Sequence, residues 1–240
     1  MDDGVSMAGS EVTVIGPGGI RAAVNKLAPL FEQATGHKVT GTFGSGGGTR
    51  QQVVNGEHFD VPIVQPPVDA VEASGHVDVT TKTLLASVWV GIAVRSGEAK
   101  PDISSGEALK KLLLSARKIS YPNAARGAGA AVSFDATLNK LGIFEEVKAK
   151  TIVAQTGANA MELLARKEVD FGLTYISEIL PEPGVEVVGP LPGDVSEPTA
   201  LIAYLSSHAK DPAAARALLD FLSSAQADAV YKAGGMVPGR

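Results

Sequence analysis

Cysteine is missing from all 240 residues. That excludes disulfides, thiolate nucleophiles, zinc fingers and iron–sulfur clusters. No apolar run approaches the roughly 18 residues of a membrane-spanning helix, so membrane insertion is not expected. Positive charge is also scarce: 21 Lys and Arg stand against 26 Asp and Glu, a formal charge of −5. This argues against a nucleic-acid partner and still allows a local positive cleft. Aromatic residues are only 5% of the chain, and the one tryptophan, Trp89, reads as a core or hinge residue. The opening MDDGVSMAGS lacks the basic start and apolar stretch of a signal peptide. Residues 1–10 are therefore expected to be a disordered tail or an expression remnant. The protein is either cytoplasmic or exported with its leader already removed.

What is present is turn chemistry and alternation. Glycine (27) and proline (14) are too few for a disordered chain but enough for many tight turns. The length allows one large domain or two lobes. Strand-like stretches at 11–16, 38–43 and 60–64 alternate with helical spacing over 20–35, 49–55 and 68–74. A long apolar strand over 84–94 follows. Further strands are expected at 118–121, 151–154, 170–175 and 185–188, with helices at 106–115, 130–141 and about 159–166. A second long strand, 200–204, leads to a helix over 212–223, with Asp211 as N-cap and Pro212 at its first position. The order βαβαβ predicts mainly parallel sheets flanked by helices.

Four strand-to-helix junctions carry the same chemistry. They are Gly16-Pro17-Gly18-Gly19-Ile20-Arg21, Gly44-Ser45-Gly46-Gly47-Gly48-Thr49-Arg50, Pro122 to Ala130, and Gln155-Thr156-Gly157-Ala158-Asn159. Small residues at a helix start let an anion approach unpaired backbone N–H groups at the positive end of the dipole. In open α/β sheets ligands bind outside the carboxyl ends of strands. None of the four completes a nucleotide-binding motif. Arg21 and Arg50 are expected in first helical turns and Arg126 just ahead of a third helix. A cation set against the dipole suggests an anion between the two, and guanidinium suits carboxylates. Gln65, after an apolar strand, is expected at the cleft mouth. Tyr121 and Tyr175 close strands that face the cleft, and Asn123 and Asn159 either cap helices or touch ligand.

The stretch LAPLFEQATGHKVTGTFGSGGGTRQQVVNGEHFDVPI, with ISYPNAARGAGAAVSFDATLNKLGI and GANAMELLARKEVDFGLTYISEI, resembles the ModA-like periplasmic molybdate-binding proteins. These are type II solute-binding proteins of ABC transporters. The resemblance covers about residues 11–240. It implies a two-lobed α/β fold, lobe I from 11–84 and 203–240 and lobe II from 85–202. Strands near 84–94 and 198–204 cross between the lobes as a hinge, with the ligand cleft between. It also implies roles for Ser45 and Tyr175, for backbone N–H groups near Ala130 and Gly157, and for the loops at Gly18, Gly19, Gly46 and Gly47. The family's first-loop serine is replaced here by Pro17 or Gly18. The usual D-x-F-x-S-A-D motif reads Asp60-Val61-Pro62-Ile63-Val64-Gln65-Pro66-Pro67. Together with the arginines, these departures point away from molybdate or tungstate and towards a di- or tricarboxylate.

The leading expectation is a monomeric, non-catalytic, extracytoplasmic receptor that hands a small anion to an ABC permease. An aconitate isomerase on the same scaffold is the first alternative, since that enzyme is similar to the same family, and a molybdate or tungstate receptor is the second. The sequence shows no catalytic base for it: tyrosine, with a pKa of about 10, is a poor one. No cofactor or metal is expected. His37, His58, His76 and His208 sit in turn-like contexts without metal spacing, and Ser45 lacks the context of a hydrolase nucleophile.

Overall fold

The computed structural model describes residues 9–240. Most of the tail expected over 1–10 lies outside the described residues. Ser10 is tied into the fold, its hydroxyl donating to Asp211 Oδ2 and its N–H to His37 Nδ1.

The first lobe grows from β1 (Glu11–Pro17), α1 (Gly18–Thr35), β2 (Lys38–Gly44), α2 (Gly46–Val54), β3 (Val61–Val64), α3 (Asp69–Ala73) and β4 (Val77–Val88). In β1, Val12, Val14 and Ile15 are buried. Ile20, Ala23, Val24, Leu27 and Phe31 form the inward face of α1 at the spacing of a helical stripe. Burying each of the larger ones contributes about 1.5–3 kcal/mol. Gly36 ends α1 in the left-handed region (φ 78°), its N–H reaching Glu32 O, a conformation that glycine adopts without a Cβ clash.

The second lobe contains β5 (Val90–Arg95), α4 (Gly106–Ser115), β6 (Ile119–Pro122), the 3₁₀ turn Ala124–Arg126 and α5 (Gly129–Leu141). It continues with α6 (Phe144–Lys148), β7 (Thr151–Ala154), α7 (Gly157–Ala165), β8 (Phe171–Tyr175), α8 (Ile176–Ile179) and β9 (Val185–Pro190). The chain then returns to the first lobe as β10 (Thr199–Ser206), α9 (Pro212–Leu222), α10 (Ala225–Ala233) and β11 (Met236–Pro238).

The sheets have strand orders β11-β4-β10-β3-β1-β2 and β7-β6-β8-β5-β9. Both are mixed, a correction to the mainly parallel expectation. β1 runs parallel to β2 and β3, and β6 to β7 and β8. The crossing strands return against them: β10 is antiparallel to β3 and β4, and β5 to β8 and β9. The strand expected over 84–94 is two strands, with the change of sheet at Trp89. The other crossing is the segment 191–198. The lobe I sheet thus reaches Val88 and resumes at Thr199, rather than changing at 84/85 and 202/203. Trp89 stands at this crossing, beside a shallow hollow with Ile103 and Leu191, and not in the interlobe cleft.

Candidate ligand-binding cleft

All four glycine-rich junctions meet in one place. A cavity of about 690 Å³ between the lobes is lined by Pro17, Gly18, Gly19 and Arg21, by Ser45 and Gly46, by Arg126, Gly129 and Ala130, and by Thr156 and Gly157. The parallel strands β1, β2, β6 and β7 end there, so α1, α2, α5 and α7 start there. Each of these helices brings first-turn N–H groups and the positive end of its dipole to the cavity.

Two polar side chains sit between these helix starts in pairs. Gln65, 1% exposed, lies between α2 and α5: a Cβ on Gly46 or on Gly129 would strike its Oε1. Its Nε2 donates to the Tyr175 hydroxyl at 3.2 Å, and its Oε1 is buried without a partner. Glu178 lies between α1 and α7. A Cβ on Gly18 would come 2.5 Å from its Oε1, and one on Gly157 2.6 Å from its Oε2. The Thr174 hydroxyl donates to Glu178 Oε2 at 2.5 Å. Glycine at these starts leaves room for the Gln65 and Glu178 side chains, which a Cβ would displace.

Burial pushes the Glu178 pKa above the ordinary carboxylate range, against the Thr174 hydrogen bond and the attraction of Arg21. Tyr175, also buried, is raised for the same reason, so it is a hydrogen-bonding group and not a base at neutral pH.

The lobes touch across the cavity. Gly47 N–H donates to Gly127 O at 2.9 Å, and Ser177 Oγ donates to Gly19 O at 2.8 Å. With the Gln65–Tyr175 bond, these join the first lobe to the second. Ser45 caps α2 by accepting from Gly48 N–H at 3.0 Å, which leaves its hydroxyl hydrogen available to the cavity it lines.

The arginines divide. Arg21 and Arg126 line the cavity and are exposed, at its rim. Arg21 donates to Phe43 O at 3.2 Å and lies 5.7 Å from the centre of that ring. Arg50 does not line it, a correction with a clear cause. Because α2 begins at Gly46, Arg50 is a turn further along than expected. Its Nη1 donates to the carbonyls of Gln65 and Pro66, both at 3.1 Å. It holds the loop that presents Gln65.

Tyr121 is a second correction. It is buried within lobe II, its hydroxyl donating to Asp135 at 2.7 Å and its ring edge-on to Phe134. Asn123 caps the 3₁₀ turn through Ala125 N–H, and Asn159 pairs with Thr156 and Glu162. Neither lines the cavity. Gly47 packs on Gly127 instead.

The histidines are less dispersed than their sequence contexts imply. His76 Nδ1 and His208 Nε2 lie 2.8 Å apart and the His58 ring packs on His208 at 5.3 Å. Among the described residues, no three His, Asp or Glu side chains are placed to hold a metal ion.

The residue the sequence reading missed is Glu178. It sits in Y-I-S-E-I, on a helix of only four residues, too short to show a period. The one available signal was its position three residues after the tyrosine that ends a cleft-facing strand.

Two α/β lobes whose helix starts converge on one cavity between them have the architecture of a type II solute-binding protein. The chain belongs to the bacterial extracellular solute-binding protein family, whose profile matches residues 12–237. It is 32% identical to an aconitate isomerase from Pseudomonas sp., over 95% of this chain and 87% of that one. It is 31% identical to the molybdate-binding protein ModA of Azotobacter vinelandii, over 94% and 89%. Among solved structures, the Azotobacter vinelandii periplasmic molybdate-binding protein superposes with a TM-score of 0.78 at 21% identity, over 95% of this chain and all of that one. The sulfate-binding protein SubI from Mycobacterium tuberculosis H37Rv gives 0.75 at 17%, over 96% and 87%. At these identities the solved structures show the shared fold. No helix among the described residues is long and apolar enough to cross a membrane.

Proposed function

We propose that this protein captures an organic anion bearing two or three carboxylates in the interlobe cleft, outside the cytoplasm, and passes it to an ABC permease. The observation that carries this reading is the cavity itself: about 690 Å³, within the ~300–1,000 Å³ typical of small-molecule sites. Cationic side chains stand on its rim and helix N-termini in its wall. A four-oxygen oxyanion would leave much of that space empty. At α1 it would meet Pro17, which offers neither a hydroxyl nor an N–H, and the carboxyl group of Glu178. A longer anion places its carboxylates on separate helix starts. Opening would proceed by a hinge motion at Trp89 and 191–198, breaking the Gly47–Gly127, Ser177–Gly19 and Gln65–Tyr175 bonds.

Thermal shift with citrate, trans-aconitate, cis-aconitate, molybdate, tungstate and sulfate tests the ligand class. At a hundred times its Kd a ligand adds about 2.7 kcal/mol of stability, or roughly 5–10 °C for a chain of this size. The expected result is such a shift with a polycarboxylate. A shift with molybdate and with no carboxylate refutes the reading.

The exposed rim arginines should govern capture more than retention. Arg21→Ala and Arg126→Ala are each expected to slow association by roughly tenfold at low salt, with a smaller change in dissociation. Stopped-flow binding at low and high ionic strength checks this, because salt should erase most of the difference.

A second reading, isomerisation of an aconitate-like ligand, is supported by the presence of Glu178, a carboxyl group suited to proton transfer, in the cleft. A proton taken from the ligand's methylene carbon and returned to the far carbon of the allylic system needs no co-reactant. Incubating trans-aconitate with the protein in D₂O and following it by NMR tests this reading. Absence of both cis isomer and carbon-bound deuterium refutes it.

A further inference from the structure

Two carboxyl groups line the cleft among the described residues, Glu178 and Glu182. They differ in surroundings. Glu178 is wedged between the starts of α1 and α7, and no Lys, Arg or His among the described residues pairs with it. The groups acting on it are few. Arg21, the Thr174 hydroxyl, the Tyr175 backbone N–H and the positive starts of α1 and α7 favour its ionised form, while burial and Glu182 beyond α8 oppose it. The α7 start contributes Gly157 and Ala158, which carry no titratable group. Arg126 lines the same cleft from the 3₁₀ turn.

An anion seated on the N–H groups of α1 and α7 must share its space with this carboxyl. Two ionised groups in one desolvated site repel strongly; a protonated carboxyl beside an anion instead offers an O–H donor. Gln65 Oε1, buried and unpartnered between α2 and α5, is an acceptor that a protonated or hydroxylated guest can satisfy.

We propose that the cleft takes up its anion together with one proton, carried on Glu178, so that ligand affinity is linked to pH through this residue. The proposal rests on the cleft being the anion site, and on no particular anion. The sign follows from which form the ligand prefers. Bound anion stabilises neutral Glu178, so its pKa is higher in the complex than in the free protein. Affinity is then greatest below the free-protein pKa. It falls as pH rises, by up to tenfold per unit, until the pKa of the complex is passed.

Calorimetric titration of trans-aconitate across the pH range in which the protein stays folded, in buffers of different ionisation heat, counts the protons. The native protein is expected to take up close to one proton per ligand over part of this range. Glu178→Gln, neutral at every pH, should bind with only the pH slope of the ligand's own titration. Should Glu178→Gln fold poorly, Thr174→Val provides the second arm. Loss of the hydrogen bond that favours ionised Glu178 should move the fall in affinity to higher pH. Equal slopes in native protein and Glu178→Gln, or an unmoved fall in Thr174→Val, overturn the proton linkage and leave the carboxylate reading standing. If trans-aconitate and citrate fail to bind but molybdate does, the carboxylate reading falls and the same comparison is made with molybdate. Binding of none of the three overturns both.

Discussion

Gly129→Val is expected to weaken binding of the stabilising polycarboxylate by at least a hundredfold, about 2.7 kcal/mol, while the ligand-free protein stays folded. Gly129 opens α5, and its Cα faces two side chains that meet across the lobes. A Cβ there would lie 2.6 Å from the Tyr175 hydroxyl and would also strike Gln65 Oε1. Valine adds two methyl groups beyond that Cβ. To fit, Gln65 and Tyr175 must separate, which removes one of the bonds that hold the lobes together. The same methyl groups cover N–H donors at the α5 start, where a ligand carboxylate would sit. The backbone at Gly129 is not in the left-handed region, so the substitution puts no strain on α5. Calorimetry on the variant gives the affinity, and its melting temperature without ligand gives the control. An affinity within threefold of native would place the ligand away from the α5 start.

Much of this site could be read from the sequence because it rests on local features. A strand period giving way to a helix period, with glycine between, marks each junction, and the rule that ligands gather at strand C-termini does the rest. That is how Gly18, Ser45, Ala130 and Gly157 come to line one cavity. The misses depend on where helices begin and what they meet. The run Gly46 to Gly48 suggests a loop, yet it forms the first turn of α2, which carries Arg50 away from the cleft. Tyr121 ends a strand, as expected, but its alternate face points into lobe II, towards Asp135 and Phe134. Gln65 meets Gly46 and Gly129, and Glu178 meets Gly18 and Gly157, residues from 19 to 160 positions away along the chain. No local period reports such contacts. The clustering of His58, His76 and His208 is hidden for the same reason.

Asp60→Ala is expected to destabilise the protein by about 3–5 kcal/mol and to lower its melting temperature by roughly 10 °C. In the sequence Asp60 is only the start of a divergent motif, yet the residue is 2% exposed, at a three-way junction. Its Oδ2 accepts from the Thr13 N–H and the Thr13 hydroxyl, both at 2.7 Å. Its Oδ1 accepts from Lys210 N–H at 2.8 Å. These bonds fasten β1 to the approach of β3 and to the loop joining β10 to α9. That is the point where the chain, having left for the second lobe, is stitched back into the first. Alanine leaves three donors facing a void, and a buried donor without a partner costs about 1–3 kcal/mol. Part of that is recovered where water reaches the Lys210 side. Asp60→Asn should fall between native and alanine, since one amide oxygen can still accept while the NH₂ group is set against a donor. Denaturant titration of the three proteins orders them. Asp60 lies outside the cleft, so the folded fraction of each variant should bind the same ligand with native affinity. A loss of binding larger than the loss of stability would instead mean that this junction holds the lobes in the closed arrangement.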